Sequence, residues 1–232
     1  MSGFFITGTD TEIGKTFVSS LLIKLLTEEG LNVVGMKPIA SGAKLIDGRL
    51  KNDDALSLIQ ASNVDVDYEK INPYVFKPAI SPHLAAEDAG IEIDLTKIKS
   101  NFAELEKKSD VVIVEGVGGW FAPLSLHATV ADLAEELNQP IILVIGLRLG
   151  CLNHALLTAQ AIRQSGLAIA GWIANHVEKD FSVAEKNIET IKHFLNDFPF
   201  LGTVSYQINS NEQSSIEHIN KQTLINRLNI KK

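Results

Sequence analysis

The sequence predicts an α/β fold, a single three-layer domain over residues 1–232 built on a mostly parallel sheet, and three observations lead there. First, short apolar runs recur along the chain, at residues 4–6, 33–34, 111–114, 141–145 and 167–173. They are continuous rather than alternating, the pattern of strands covered on both faces. Second, segments of helical period lie between them. Val18, Leu21, Leu22, Leu25 and Leu26 share one face, Leu152, Ala155, Leu156, Ala159 and Ile162 another, and Ala184, Ile188, Ile191 and Leu195 a third. Alternating strands and helices make βα units, hence a parallel sheet. Third, a chain of 232 residues, 45% hydrophobic and 21% charged, can bury such a core and lies outside the disordered range.

In parallel α/β sheets, ligands bind beyond the carboxyl ends of the strands, and the chemistry-bearing residues fall there. The first run leads through Gly8-Thr9-Asp10-Thr11-Glu12-Ile13-Gly14-Lys15-Thr16 into the first helix. Gly-Lys-Thr between a strand and a helix is the core of a phosphate-binding loop. Backbone N–H groups and the helix N-terminus receive phosphate oxygens, Lys15 reaches the β- and γ-phosphates, and Thr16 offers a hydroxyl to Mg2+. The expected fold is therefore of P-loop NTPase type. The spacing departs from the common G-x4-G-K-[ST] pattern: Gly8 comes one position early and Thr9 stands where the first glycine belongs. Asp10 and Glu12 are carboxylates beside an anion site, so they must point away, meet ribose or substrate amines, or cap the turn.

The second run continues into Gly35-Met36-Lys37-Pro38, which puts Lys37 at a strand tip, either as a solvated charge or as a second cation for the site. In Asn52-Asp53-Asp54, either Asn52 or Asp53 reads as a helix N-cap, which leaves Asp54 available as a ligand. The third run ends in Glu115, the pattern of an acidic Mg2+ partner beside a phosphate loop. Gly116-Val117-Gly118-Gly119 follows and suits a close approach of backbone to ligand. Thr16, Asp54 and Glu115 together are hard oxygen donors of the kind Mg2+ takes. The histidines and the cysteine lack zinc-ligand spacing, and His83, His127 and His154 read as surface or packing residues. Asn175 follows the fifth run, either as a turn residue or as a donor–acceptor pair for a purine edge.

Charge and cysteine usage set limits on partners and setting. The formal net charge is −7, from 21 Lys and Arg against 28 Asp and Glu, which argues against a nucleic-acid partner. One cysteine, Cys151, makes no internal disulfide and fits a reducing, cytoplasmic setting. No signal-peptide pattern is expected, and no apolar run approaches the ~18 residues of a membrane span. Residues 224–232 are amphipathic with a basic end, either an ordinary terminal helix or a membrane-binding one. A membrane helix would suit a different class, the nucleotide-switch ATPases of cell division and partition. Those proteins usually carry a second lysine within the loop, where this chain has Asp10 or Thr11.

These segments, with Met36-Lys37-Pro38-Ile39-Ala40-Ser41-Gly42, Ser81-Pro82-His83, Gly118-Gly119-Trp120, Leu149-Gly150-Cys151-Leu152-Asn153-His154 and Gly171-Trp172-Ile173-Ala174-Asn175, resemble the dethiobiotin synthetase family in order through about residue 205. The resemblance implies an ATP- and Mg2+-dependent ligase of biotin biosynthesis, a cytoplasmic homodimer that converts 7,8-diaminopelargonate and CO2 to dethiobiotin, ADP and phosphate. A substrate amine would take up CO2 as a carbamate, whose oxygen attacks the γ-phosphate. The second amine would then close the ureido ring on the mixed anhydride. The resemblance gives Lys37, Lys15 and Thr11 catalytic roles. It assigns nucleotide contacts to Glu12, Ile13, Gly14, Lys15, Thr16, Phe17, Gly116, Val117, Gly118, Asn175 and His176, and metal ligation to Thr16, Asp54 and Glu115. Substrate contacts fall to Thr11 and Ser41 and, across a dimer interface, to Gly150, Cys151 and Asn153. The family's Pro-Trp near the nucleotide is replaced by Ser205-Tyr206.

Overall fold

The computed structural model describes residues 3–206 and 219–228. The phosphate-loop unit comes first: β1 (Gly3–Gly8), α1 (Lys15–Glu28) and β2 (Val33–Met36). A run of small elements follows: β3 (Ile39–Ala40), β4 (Lys44–Ile46), β5 (Arg49–Lys51), α2 (Asp53–Ala61), α3 (Tyr68–Ile71), β6 (Tyr74–Val75) and α4 (Pro82–Asp88). Strand–helix alternation then resumes with α5 (Leu95–Glu106), β7 (Val111–Glu115), α6 (Val130–Leu137), β8 (Ile141–Leu147), α7 (Cys151–Ser165), β9 (Ile169–His176), α8 (Ala184–Phe194) and β10 (Phe200–Val204). The last described helix is α9 (Lys221–Arg227).

Six strands form one sheet in the order β10-β9-β8-β1-β7-β2, and every pairing in it is parallel. The apolar runs are continuous because both faces are buried. Phe5, Val112, Val114, Leu143 and Trp172 enter one core with α5, α6, α7 and α8. Their sequence neighbours Phe4, Ile6, Ile113, Ile142 and Ile173 enter the other with α1, α2 and α9. This two-residue alternation across a doubly covered sheet is the expected three-layer arrangement.

The differences from the expectation are local. The fifth run becomes a strand only from Ile169; Leu167 and Ala168 precede it, and the Ala168 carbonyl accepts the Ile141 N–H at 2.8 Å. A sixth strand, β10, lies at the sheet edge and was not among the apolar runs. Of the second helical face, Ala155, Ala159 and Ile162 are buried, whereas Leu152 and Leu156 are only half-buried. Between the two candidate caps of α2, the structure selects Asn52, whose side chain accepts the Asp54 and Ala55 N–H groups at 3.0 and 3.3 Å. In α9, Leu224 and the following Leu228 are buried in the core, so the apolar side of this segment is spent inside the protein. Residues 229–232, the rest of the basic end, lie outside the described residues. No described helix is long and apolar enough to cross a membrane.

Candidate active site

Strands β1, β2 and β7 stand side by side, with β1 next to β7 and β7 next to β2. Their carboxyl ends therefore deliver the phosphate loop, Lys37 and Glu115 to one place. α1 begins at Gly14, a left-handed N-cap with φ 80°. A Cβ at Gly14 would lie 2.2 Å from the Asn175 amide nitrogen, so both backbone conformation and space call for glycine here. That same amide donates to the Ile13 carbonyl at 2.7 Å and ties the tip of β9 to the loop.

Four side chains meet at the centre. The Lys37 ammonium donates to Glu115 Oε1 at 2.5 Å and lies 3.3 Å from Asp54 Oδ2. The Thr16 hydroxyl donates to the same Glu115 oxygen at 2.9 Å. Lys37 and Glu115 are buried, and Asp54 is part-exposed. Burial alone would lower the Lys37 pKa, but Glu115 and Asp54 outweigh it and raise the value above the usual lysine range. Lys37 is therefore a cation at neutral pH. Lys15 is also buried, and its amine donates to the Asp10 carbonyl at 2.7 Å. Desolvation, helped by the nearby Lys37 charge, brings its pKa down to about 8. Two cations of opposite pKa tendency thus face one cavity.

The cavity measures 820 Å3, within the usual range for a small-molecule site. Its polar lining is formed by Thr11, Glu12, Gly14, Lys15, Thr16, Lys37, Ser41, Asp54 and Glu115, and Phe17, Val117 and Gly118 also line it. Apolar lining comes from Ala79, Ile80, Pro82, Ala122 and Pro123. Two polar atoms here are buried without a protein partner: Ser41 Oγ and Glu115 Oε2. A buried oxygen left unpaired is costly, so both are groups that a ligand would satisfy. Among the described residues no group of three or more His, Cys, Asp and Glu could by itself hold a metal ion.

Several expected site residues do not line this cavity. Ile13 is buried in the core beneath the loop. Gly116 is buried just after β7, its carbonyl accepting from the Lys37 amine at 3.3 Å. Asn175 and His176 end β9 beside the loop. Gly150, Cys151 and Asn153 form the start of α7 and are not brought to the cavity; Cys151 is buried and Asn153 exposed. Ser205, Tyr206, His83, His127 and His154 are not part of the lining either. The sequence reading missed the apolar lining residues Ala79, Ile80, Ala122 and Pro123, which carry no chemical signature. It also missed Arg148, which forms an ion pair with Asp10. Asp10 does not line the cavity: its carboxylate pairs with Arg148 and accepts the Thr11 N–H at 2.8 Å.

A family model described as an AAA domain matches residues 2–214. The chain is 47% identical over 203 residues to the ATP-dependent dethiobiotin synthetase BioD of Aromatoleum aromaticum, covering 88% of this chain and 90% of that protein. To the same-named protein of Pseudomonas paraeruginosa it is 42% identical over 225 residues, covering 97% and 98%. Similar solved structures include the MinC:MinD cell division protein complex of Aquifex aeolicus, with TM-score 0.58, 12% identity and coverage of 98% and 94%. A ParA family ATPase from Chlorobium tepidum gives TM-score 0.58 at 13% identity, covering 98% and 96%. At such identities these two show the shared P-loop fold alone. The synthetases match at far higher identity over nearly the whole chain, and the chain belongs to the ATP-dependent dethiobiotin synthetase family.

Proposed function

We propose that this chain, acting over residues 1–232 as one ATP-binding domain, is a dethiobiotin synthetase. It carboxylates 7,8-diaminopelargonate with CO2 and closes the ring to dethiobiotin, with ADP and phosphate as the other products. The observation that carries this reading is the cavity itself, lined by a phosphate loop, two lysines and two carboxylates together with the apolar Ala79, Ile80, Pro82, Ala122 and Pro123. A long diamine with an alkyl tail and a triphosphate need both kinds of lining.

The residues divide the work as follows. One substrate amine adds to CO2 and loses a proton, leaving an anionic carbamate. Lys37, a buried cation at neutral pH, neutralises it, and Ser41 Oγ and Thr11 are the polar groups that orient it. The carbamate oxygen attacks the γ-phosphorus of ATP, and the bond to the bridging oxygen breaks to give ADP. Lys15 and the N–H groups from Glu12 to Phe17 hold the phosphates in line. The second amine then attacks the carbamoyl carbon, and inorganic phosphate leaves as the five-membered urea closes. Little covalent chemistry falls to the protein; alignment and charge placement supply the rate. Asn175 and His176, beside the loop, are the groups for the purine end.

A hard divalent cation fits the donor set. Thr16, Asp54 and Glu115 would hold Mg2+, and the unpartnered Glu115 Oε2 is the kind of buried oxygen such an ion satisfies. A bound Mg2+ would supply positive charge to the phosphate oxygens. Two carboxylates and a hydroxyl suit an ion that keeps phosphate and water in its remaining positions.

We place the active form in the cytoplasm as a homodimer, with Gly150, Cys151 and Asn153 of one copy offering the α7 N-terminus to the carboxylate of substrate bound by the other. The support is a pair of exposed leucines, Leu149 just before α7 and Leu157 within it, at 91% and 63% exposure. Incubation with diaminopelargonate, bicarbonate, ATP and Mg2+, followed by mass spectrometry, tests the reaction. Dethiobiotin is the expected product, and its absence would sink the assignment.

A further inference from the structure

We propose that Arg148 is a positioning residue for the phosphate loop: it neutralises the Asp10 carboxylate and holds it away from the nucleotide phosphates. The proposal rests on the reading of this loop as the ATP site.

Asp10 is an unusual residue for such a place. It lies within a loop whose task is to attract anions, and a free carboxylate there repels them. All three of its oxygens are engaged. Oδ1 accepts the Thr11 N–H at 2.8 Å, Oδ2 pairs with an Arg148 guanidinium nitrogen, and the backbone carbonyl accepts the Lys15 ammonium at 2.7 Å. Neither Asp10 nor Arg148 lines the cavity, whereas Thr11, Glu12, Gly14, Lys15 and Thr16 do. The paired side chains therefore stay out of the cavity that the rest of the loop lines. Among the described residues, Arg148 is the one side chain recorded as an ion-pair partner of Asp10.

Arg148 is well placed to hold this position. It follows β8 directly, and β8 is the neighbour of β1, with Gly8 opposite Val144 and the Thr9 N–H donated to the Val144 carbonyl at 3.1 Å. Its own carbonyl accepts the Cys151 N–H at 3.0 Å, which closes the turn into α7. The backbone is thus fixed at both ends while the side chain crosses to the loop. Both partners are more than a third exposed, so the pair contributes little to folding. Its effect falls on the charge that the phosphates meet and, through the Asp10 carbonyl, on the direction of Lys15.

The test is calorimetric titration of the full chain with a non-hydrolysable ATP analogue and Mg2+, for the wild type, Arg148→Met, Asp10→Asn and the double variant. Removing the arginine should weaken binding about tenfold, as expected of an unpaired charge near the phosphates. Asp10→Asn keeps an oxygen for the Thr11 N–H and should bind within about threefold of wild type. The decisive comparison is the double variant. Once the carboxylate is gone the arginine has nothing to neutralise, so affinity should return to within about threefold of wild type. A double variant no tighter than Arg148→Met, or an Arg148→Met protein that binds like wild type, overturns the proposal. If Arg148→Met does not fold, Arg148→Gln replaces it with the same outcomes. A wild-type chain that fails to bind the analogue overturns the ATP reading instead, and this inference with it.

Discussion

At the tips of β1, β2 and β7 the polar groups find partners within one chain. Lys37 lies between Glu115 and Asp54, Thr16 donates to Glu115, and Lys15 rests on the Asp10 carbonyl. At the start of α7 the situation is reversed. Leu149 is 91% exposed, Leu157 is 63% exposed, and the backbone end that Gly150 opens has no neighbour in the cavity. In the first region the opposite charges pair within one copy, and the unpartnered Ser41 Oγ and Glu115 Oε2 are left for a ligand. In the second, two exposed leucines gain by being covered, which suits a surface shared between copies.

The largest effect should come from Lys37→Gln. It removes the cation facing the carbamate and leaves Glu115 buried without its strongest partner. Turnover should fall by about a hundredfold to a thousandfold, measured as dethiobiotin formed per minute. Near-normal turnover would show that Lys37 only serves Glu115. Next comes Gly14→Ala, which breaks the first region alone. Its methyl group must occupy the Asn175 amide position at an unfavourable φ of 80°. Nucleotide affinity should fall about tenfold or more, with a loss of roughly 1–2 kcal/mol in stability by chemical denaturation. Unchanged affinity would mean that the β9 tip does not brace the loop.

Leu149→Asp sharpens the contrast from the other side. If the α7 face is an interface, sedimentation should show the wild type as a dimer and the variant shifted toward monomer, by about 1.5–3 kcal/mol per buried leucine lost. Nucleotide binding should persist in the variant while turnover drops. A variant that still sediments as a dimer would move the interface elsewhere. The smallest effect belongs to a helix cap that contributes no side chain to the cavity. The Asp132 carboxylate accepts the Thr129 hydroxyl and N–H, both at 2.7 Å, at the start of α6. The Thr129 hydroxyl is the main cause of holding its pKa below the usual carboxylate range. A folded-state value below the unfolded one stabilises above pH ~4 and loses that contribution as pH falls through the folded value. Asp132→Asn should therefore cost about 0.5–1 kcal/mol at pH 7, and the cost should shrink as pH falls through the folded value. A cost that does not change with pH would remove the charge from the explanation.

Much of this was legible in the chain. Strands covered on both faces have to be continuously apolar, so β1, β7 and β8 stood out. A loop whose backbone receives phosphate needs Gly14, Lys15 and Thr16 together, and Glu115 at the end of an apolar strand could serve little besides a ligand or a cation. Less was legible where the signal was geometric. β10 is short and contains a glycine and a threonine, so its periodicity is weak. The apolar lining of the cavity uses alanine, isoleucine and proline, types found on any surface. Arg148 lies 138 positions from Asp10, and a single arginine after a strand says nothing of its partner until the sheet places β8 against β1.

The order of the sheet also has a consequence in time. β1 is the first strand to be made, yet both of its neighbours come much later: residues 112–115 on one side and 141–144 on the other. On a ribosome, Phe4, Phe5 and Ile6 must wait without their final neighbours until residue 144 has emerged, and pairings of such long range are slow to form. Lys37 likewise waits for Glu115. The nascent chain therefore carries Phe4, Phe5, Ile6 and its future charge centre without their native partners until those later residues are made. Chaperone demand, rather than the stability of the finished protein, should set how well this sequence can be expressed.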